Sequence, residues 1–282
     1  MTLLIDSGDR PVESVLHPTD LSEASLAAFH HALALGVRNA ARLTLLHAVG
    51  QRSTDSWVDF PSVRGTLSRW RAAGHLDDLE AQVKRSSVRK AEVTIRDPVA
   101  ACLAHLRQHE VDLIVLATEG RGGLSRLVRA SRAEKLARES KLPALFVPRG
   151  VRPFVDGETG EVRLGRILVP VAESTDPKPA MLFAVRVAAL LDDPSLEITL
   201  LHVSDRGEAI ATEAPELPFC RWNVLTRPGD PAEQILAVAD EIRADTICMS
   251  TSWNRPGLGR SDSGVTERVL REAPCPLAAV PA

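Results

Sequence analysis

The sequence lacks the features by which membrane proteins and nucleic-acid binders are most easily recognised. No apolar run approaches the roughly 18 residues that a membrane-spanning helix needs. The formal charge is −3, whereas proteins that bind nucleic acid or anionic membranes usually carry a basic surface. The first residues, MTLLIDSGDR, have neither the charged nor the apolar region of a secretory signal. We therefore expect a cytoplasmic protein that crosses no membrane and binds no nucleic acid.

Cysteine is also scarce. The four cysteines form no CxxC pair and no Cys/His cluster with zinc-like spacing. The chain contains no GxSxG elbow, no HExxH helix and no Walker A lysine after its glycines. The sequence thus predicts no metal site and no catalytic residues.

The stretch most typical of a binding site runs from Asp112 to Pro148. An apolar strand, Leu113–Ala117, precedes a glycine-rich turn, and Ser131 stands where it could cap the following helix. The glycines of this turn are Gly120, Gly122 and Gly123. Backbone N–H groups freed by glycine and the positive end of a helix can together bind a phosphate. The alternative is a flexible turn followed by an ordinary helix cap.

The same pattern occurs twice along the chain. LTLLH at 43–47 corresponds to ITLLH at 198–202, and DLIVLA from Asp112 corresponds to DTICMS from Asp245. From Asp97 onward the two halves align without a gap. Each half alternates strands with helices in the order βαβαβαβαβ, which requires a parallel sheet covered by helices. The predicted fold class is therefore α/β, with two repeated open-twisted, mostly parallel five-stranded sheets flanked by helices.

The pattern also predicts where the elements lie. In the first half we expect strands at 12–18, 42–49, 91–95, 113–117 and 142–148, and helices at 22–39, 67–83 and 97–109. Ser22, Asp97 and Asp230 are expected to cap helices. We expect a first domain at 1–150 and a second at 151–282, with a linker at 149–164 that forms a hairpin around Asp156-Gly157.

Taken together, these segments resemble a tandem universal stress protein over nearly the whole chain. The resemblance is carried by VLHPTDLSEAS, GRILVPV, GDPAEQI, TERVLREAPCP and the stretch from Asp112. It implies a sheet related to the adenine-nucleotide alpha-hydrolase fold and a cytoplasmic role in the stress response. It also implies dimers, or tandem pseudo-dimers joined through their last strands. We expect the two halves to dock in this way, and two whole chains to form a homodimer as a further option.

The resemblance also implies a site for ATP, with or without Mg²⁺. In the ATP-binding branch the phosphate loop reads Gly-x2-Gly-x9-Gly-Ser/Thr. In the first half these positions are Ala117, Gly120, Ala130 and Ser131. Asp20 matches the acidic residue that would contact the ribose, although it could instead cap the first helix with Ser22. The adenine would face Ala48 and Val49. Nearby arginines such as Arg132 could neutralise phosphates or form a solvated face.

In the second half the phosphate-loop pattern is lost. The four positions are Ser250, Trp253, Ser263 and Gly264. Ala172 replaces the acidic residue, and Trp253 would put an indole ring where the chain should approach phosphate. We therefore expect nucleotide binding in the first domain only. The alternative of a different class is a protein-interaction module that binds no nucleotide. A slow ATP hydrolase is the second alternative, because phosphoryl transfer depends mainly on positioning and on a metal ion.

Overall fold

The computed structural model describes residues 12–49, 57, 60–76, 80–119, 126–189, 196–204, 220–252 and 261–282, with the side chains of all but 126–131, 188–189 and 261–263. The strands are β1 (Ser14–Pro18), β2 (Arg42–Ala48), β3 (Ser87–Val93), β4 (Leu113–Thr118), β5 (Ala144–Pro148), β6 (Arg166–Val171), β7 (Glu197–Val203), β8 (Arg221–Arg227), β9 (Thr246–Thr251) and β10 (Leu277–Pro281). The helices are α1 (Leu26–Arg38), α2 (Val63–Ala72), α3 (Glu80–Arg85), α4 (Pro98–Leu106), α5 (Arg126–Ser140), α6 (Lys178–Ala189), α7 (Pro231–Glu241) and α8 (Ser261–Glu272).

The strands form one ten-stranded sheet in the order β3-β2-β1-β4-β5-β10-β9-β6-β7-β8. Within each half all neighbouring strands are parallel, as the alternating pattern predicts. The strand order 3-2-1-4-5 occurs in both halves. The predicted α/β class with two repeated five-stranded parallel units is therefore confirmed.

The two halves meet edge to edge through their last strands. β5 and β10 pair antiparallel, with Phe146 opposite Leu277 and Ala144 opposite Ala279. Above this seam α5 and α8 are linked by Arg138, whose Nη2 lies 3.1 Å from Oε1 of Glu267. The pairing covers two apolar strands that would otherwise be exposed sheet edges. The predicted docking of the halves through these strands is thus what the structure shows.

Two hydrophobic cores lie on opposite faces of the sheet, and each is continuous across the seam. One contains α1 and α6 with alternate strand residues such as Val15 and Ile167. The other contains residues of α4, α5, α7 and α8 with the intervening strand residues, such as Leu16 and Leu168. This alternation is what a strand buried on both faces requires.

Aspartates hold equivalent turns in both halves. Asp97 Oδ1 accepts from Val99 N at 3.0 Å and Asp230 Oδ1 from Glu233 N at 3.0 Å, so both predicted helix caps are confirmed. A different aspartate, Asp112 before β4, has another role. Asp112 Oδ2 accepts from the backbone N–H groups of Glu13 and Ser14, both at 2.9 Å, and thereby fixes the start of β1. Asp245 does the same at β6.

The predicted hairpin around Asp156-Gly157 is present, with Val155 bridged to Val162. It packs on the first half. Phe154 is buried and meets the ring of His31 edge-on at 4.3 Å. Trp70 of α2 donates its indole N–H to the carbonyl of Gly157 at 3.0 Å.

Three local predictions were wrong. The helix expected at 67–83 is two helices, because Gly74 takes a φ of 82° and ends the first of them. β3 spans Ser87–Val93 rather than 91–95, since a sheet-edge strand tolerates charged residues and gives a weak apolar signal. Ser22 precedes a 3-10 turn, Glu23–Ser25, but its side chain makes no cap; its hydroxyl donates to Asp20 at 2.6 Å.

Candidate functional site

A cavity of about 170 Å³ opens at the carboxyl ends of β1, β2 and β4. The chain runs outward in one direction from β1 to β3 and returns to the other side of β1 for β4. The loops after β1 and β4 therefore diverge and leave a crevice between them. Open α/β sheets bind their ligands at this kind of switch point.

The cavity has an apolar floor and a polar rim. The floor is formed by Leu46, Val99, Cys102, Leu116, Ala133 and Leu136. The rim carries Asp20, His47, Glu119 and Arg132. An apolar surface with a few convergent polar groups is typical of a site for a small molecule. Burial, with Asp97 nearby, raises the pKa of the Cys102 thiol to about 12, so this sulfur is not a nucleophile at neutral pH.

Asp20 lies in the turn that follows β1. Its Oδ1 accepts from the backbone N–H of Ser22 at 3.0 Å and from the Ser22 hydroxyl at 2.6 Å. The carboxylate is exposed and lines the cavity. Asp20 therefore shapes the turn jointly with Ser22 while it faces the position a ligand would take. Leu21, next in the turn, has a φ of 62°, a strained backbone at the mouth of the cavity.

His47 and Ala48 bring the end of β2 to the cavity. The Nδ1–H of His47 donates to the carbonyl of Thr19 at 2.8 Å and ties β2 to the loop after β1. Ala48 lines the cavity, whereas Val49 is buried outside the lining and donates its N–H to Val93 at 3.0 Å. Of the two residues expected to face an adenine, Ala48 lies at the cavity.

His17 of β1 is fully buried. Its Nδ1–H donates to the carbonyl of Val115 at 2.9 Å, and its Nε2 has no partner among the described residues. Burial lowers the pKa of His17 to about 4, so the ring is neutral at physiological pH. His17 is a core histidine, as its strand position indicates.

The alanines of the phosphate-loop pattern adopt ordinary backbone conformations. Ala117 lies in β4 and lines the cavity, and Ala130 lies inside α5. Extended and helical residues both have negative φ, so neither position needs glycine for its backbone conformation. Gly120, Gly122 and Gly123 lie outside the described residues.

The prediction that Ser131 caps a helix was wrong. α5 begins at Arg126, which places Ser131 inside the helix. The intervening residues are good helix formers, and none of them is a breaker, so the helix extends toward the glycines. Glu119 is a rim residue that the sequence analysis did not predict. Its position directly after the parallel strand β4 could have indicated it.

The corresponding positions of the second half carry different side chains. Ser250 corresponds to Ala117 in the repeat. Its hydroxyl accepts from the backbone N–H of Ala180 in the first turn of α6, at 3.2 Å. Ala172 stands where Asp20 does. Trp253 and the side chain of Ser263 lie outside the described residues.

The described residues include neither a cluster that could hold a metal ion nor a membrane-spanning helix. Among the described residues, no three His, Cys, Asp or Glu side chains lie close enough to hold a metal ion. In the same part of the chain, none of the helices has the length and apolar character needed to cross a bilayer.

Comparison with known proteins agrees with this architecture. The model of the universal stress protein family matches residues 11–148 and 206–281. A universal stress protein of Synechocystis sp. is 31% identical over 146 residues, 43% of this chain and 88% of that protein. A universal stress protein of Methanocaldococcus jannaschii is 24% identical over 156 residues, 52% of this chain and 88% of that protein.

The likeness of fold extends over both halves. The crystal structure of a universal stress protein from Archaeoglobus fulgidus covers 96% of this chain and 98% of its own, at 20% identity and a TM-score of 0.63. The family model itself covers most of the chain. The chain therefore belongs to the universal stress protein family.

Proposed function

We propose that the protein is a cytoplasmic stress-response protein that binds one adenine nucleotide, ATP or a relative, in the cavity of its first half. It acts through conformation and partner contacts rather than through turnover. The observation that carries this proposal is the combination of an apolar floor with Asp20 and Arg132 at a sheet switch point.

The residues fit the parts of a nucleotide. The floor of Leu46, Val99 and Leu116 offers apolar surface to one face of a purine. The exposed carboxylate of Asp20 can accept from ribose hydroxyls, and Arg132 can compensate phosphate charge. Phosphates would extend toward Arg132 on α5. Mg²⁺ would enter with ATP, and no described protein ligand is assigned to it.

Calorimetry with ATP and Mg²⁺ tests the proposal. We expect at most one nucleotide per chain. Asp20→Ala should weaken binding by about ten- to a hundredfold, the loss expected for charged hydrogen bonds to a ligand. Ala172→Asp, the counterpart in the second half, is the matched control and should leave the affinity unchanged. Two equivalent sites per chain would contradict the proposal.

A second candidate function is an interaction module without a nucleotide. It is favoured by the geometry of Asp20, whose carboxylate is already bonded to Ser22 and so has a structural role of its own. If ATP binding is not measurable, this second function is preferred.

A further inference from the structure

A second cavity, of about 110 Å³, opens at the same edge of the sheet in the second half. It lies at the carboxyl ends of β6, β7 and β9, beside α7 and α8. Its position is that of the first cavity in the repeat: Pro170, Leu201 and Met249 correspond to Pro18, Leu46 and Leu116. At two matched lining positions the second cavity carries the larger side chain, Ile235 for Cys102 and Val203 for Ala48.

The two cavities differ above all in charge. Arg132, on α5 in the first half, is replaced by Val265 on α8. Asp20, in the loop after the first strand, is replaced by Ala172. The third charged rim residue, after β4, is Glu119, and its counterpart after β9 is Ser252. All the described lining residues of the second cavity are uncharged.

The polar groups that remain are three hydroxyls, of Thr175, Ser250 and Thr266. One of them is already engaged, because Ser250 accepts from the N–H of Ala180 at 3.2 Å. This N–H belongs to the first turn of α6, where an anion would otherwise find a donor. The protein thus satisfies from within a group that could have attracted a phosphate.

We infer that the second cavity binds a small, uncharged and mainly apolar molecule of about one ring. A charged ligand would lose its hydration there without an opposite charge among the described lining residues, which is strongly unfavourable. An apolar cavity of roughly 150 Å³ is large enough for benzene, so the observed volume suits a ring in part enclosed and in part at the opening. The inference does not depend on nucleotide binding in the first half.

The methionines provide a direct probe. The chain has three, Met1, Met181 and Met249. Met249 lines the second cavity, whereas Met181 is buried in the core on the other face of the sheet. In protein labelled with ¹³C at the methionine methyl groups, Met249 therefore reports on the cavity and Met181 serves as an internal reference. Met249→Leu assigns the signal.

The ligands to titrate are benzyl alcohol and benzoate, which share the ring and differ in charge. We expect benzyl alcohol to shift the Met249 methyl signal saturably at millimolar concentration and to leave Met181 in place. Benzoate should bind at least about tenfold more weakly, since its carboxylate has no cation to meet. Absence of a saturable Met249 shift, or equal binding of the two compounds, would overturn the inference.

Variants then introduce the charges of the first cavity into the second one. Val265→Arg should weaken benzyl alcohol and strengthen benzoate, so that the preference reverses. Ala172→Asp lies at an exposed position, so it should leave the fold intact; it should weaken benzoate further. Val224→Thr, on the exposed face of β8, is the control and should leave both affinities unchanged. A preference for benzyl alcohol that survives Val265→Arg would place binding elsewhere and overturn the inference.

Discussion

The two halves share the aspartates that bond their backbone, and they differ in the polar side chains that they bury or place around their cavities. Asp112 and Asp245 each accept from two consecutive backbone N–H groups at 2.9 Å, with the same geometry. These carboxylates satisfy backbone N–H groups at the starts of β1 and β6, so their role is to support the fold. The charged side chains that differ between the two cavities are not known to satisfy backbone N–H groups at both equivalent positions. The comparison separates residues that the fold requires from residues that a ligand would require.

Polar burial is also unequal between the halves. His17 and His31 are fully buried in the first half, and in the register of the repeat they correspond to Val169 and Phe183. In both histidines Nδ1–H donates to a backbone carbonyl, of Val115 and of Ala27, and Nε2 has no described partner. The first half therefore carries two groups that resist protonation, and the second half carries apolar side chains in their place.

The largest expected effect is on acid stability. Burial lowers the pKa of His17 and of His31 to about 4, from 6.5 in the unfolded chain. The unfolded chain therefore binds protons first, and stability is lost as the pH falls from about 6.5 to about 4, by about 3 kcal/mol for each histidine. Urea unfolding of the double variant His17→Val/His31→Phe should show a much shallower loss in this window.

Above pH 7 both histidines are neutral in either state, so the parent and the double variant should show parallel stability curves there. This range is the internal control. Equal slopes below pH 6.5 would mean that the rings are protonated in the folded protein, and the contrast between the halves in polar burial would then have no effect on stability.

The next effect concerns the segment 149–164, which packs on the first half. Gly150 and Gly160 have nearly the same φ, 75° and 76°. A Cβ at Gly150 would meet nothing within 4 Å, whereas one at Gly160 would overlap the indole of Trp70. Gly150→Ala should cost about 1 kcal/mol for the positive φ alone. Gly160→Ala should cost about 3 kcal/mol because overpacking adds to it.

Urea unfolding of both variants measures the difference. Equal losses would indicate that the hairpin moves away from Trp70 at no cost, and the packing of this segment on the first half would contribute little to stability.

A smaller effect is expected from exchanging a rim residue. Arg132→Val gives the first cavity the side chain of the second. If the cavity binds ATP as proposed, affinity should fall about tenfold, the loss of one charge-assisted contact to phosphate, while adenosine binding should not change. Arg107→Val, at the C-terminal end of α4, is the control. A similar loss for ATP and adenosine would show that Arg132 supports the cavity rather than the phosphates.

The fold was largely predictable because each half repeats the other. Two matching series of strands and helices specify the same parallel order twice, and two short apolar final strands need a common partner. Two of the errors have different causes, one tertiary and one local. β3 takes charged residues because it lies at the sheet edge, and α5 starts at Arg126 because nothing before Ser131 interrupts it.

The site was predictable only in part. Asp20 and Ala117 line the cavity, and their place at strand ends was readable from the apolar runs. The exchange of Arg132 for Val265 was visible in the aligned halves. The sequence did not show that this exchange changes the charge of a cavity, because only the packed helix shows that the position faces the cavity.

The smallest effect concerns the end of one helix. α7 ends in a Schellman motif, in which Arg243 N donates to Asp240 O at 3.1 Å and Ala244 N to Ala239 O at 2.8 Å. Arg243 is exposed and has a φ of 50°, a conformation that favours glycine. Arg243→Gly should therefore stabilise the protein by about 0.5–1 kcal/mol, the strain relieved less the added flexibility of the unfolded chain.

Its counterpart in the repeat, Glu110, is exposed but is not among the residues with positive φ. Glu110→Gly should therefore destabilise slightly, because glycine adds freedom to the unfolded chain and relieves no strain. Opposite shifts of the urea midpoint for Arg243→Gly and Glu110→Gly would show that the two halves end equivalent helices differently. Shifts of the same sign would show that the positive φ at Arg243 stores no strain.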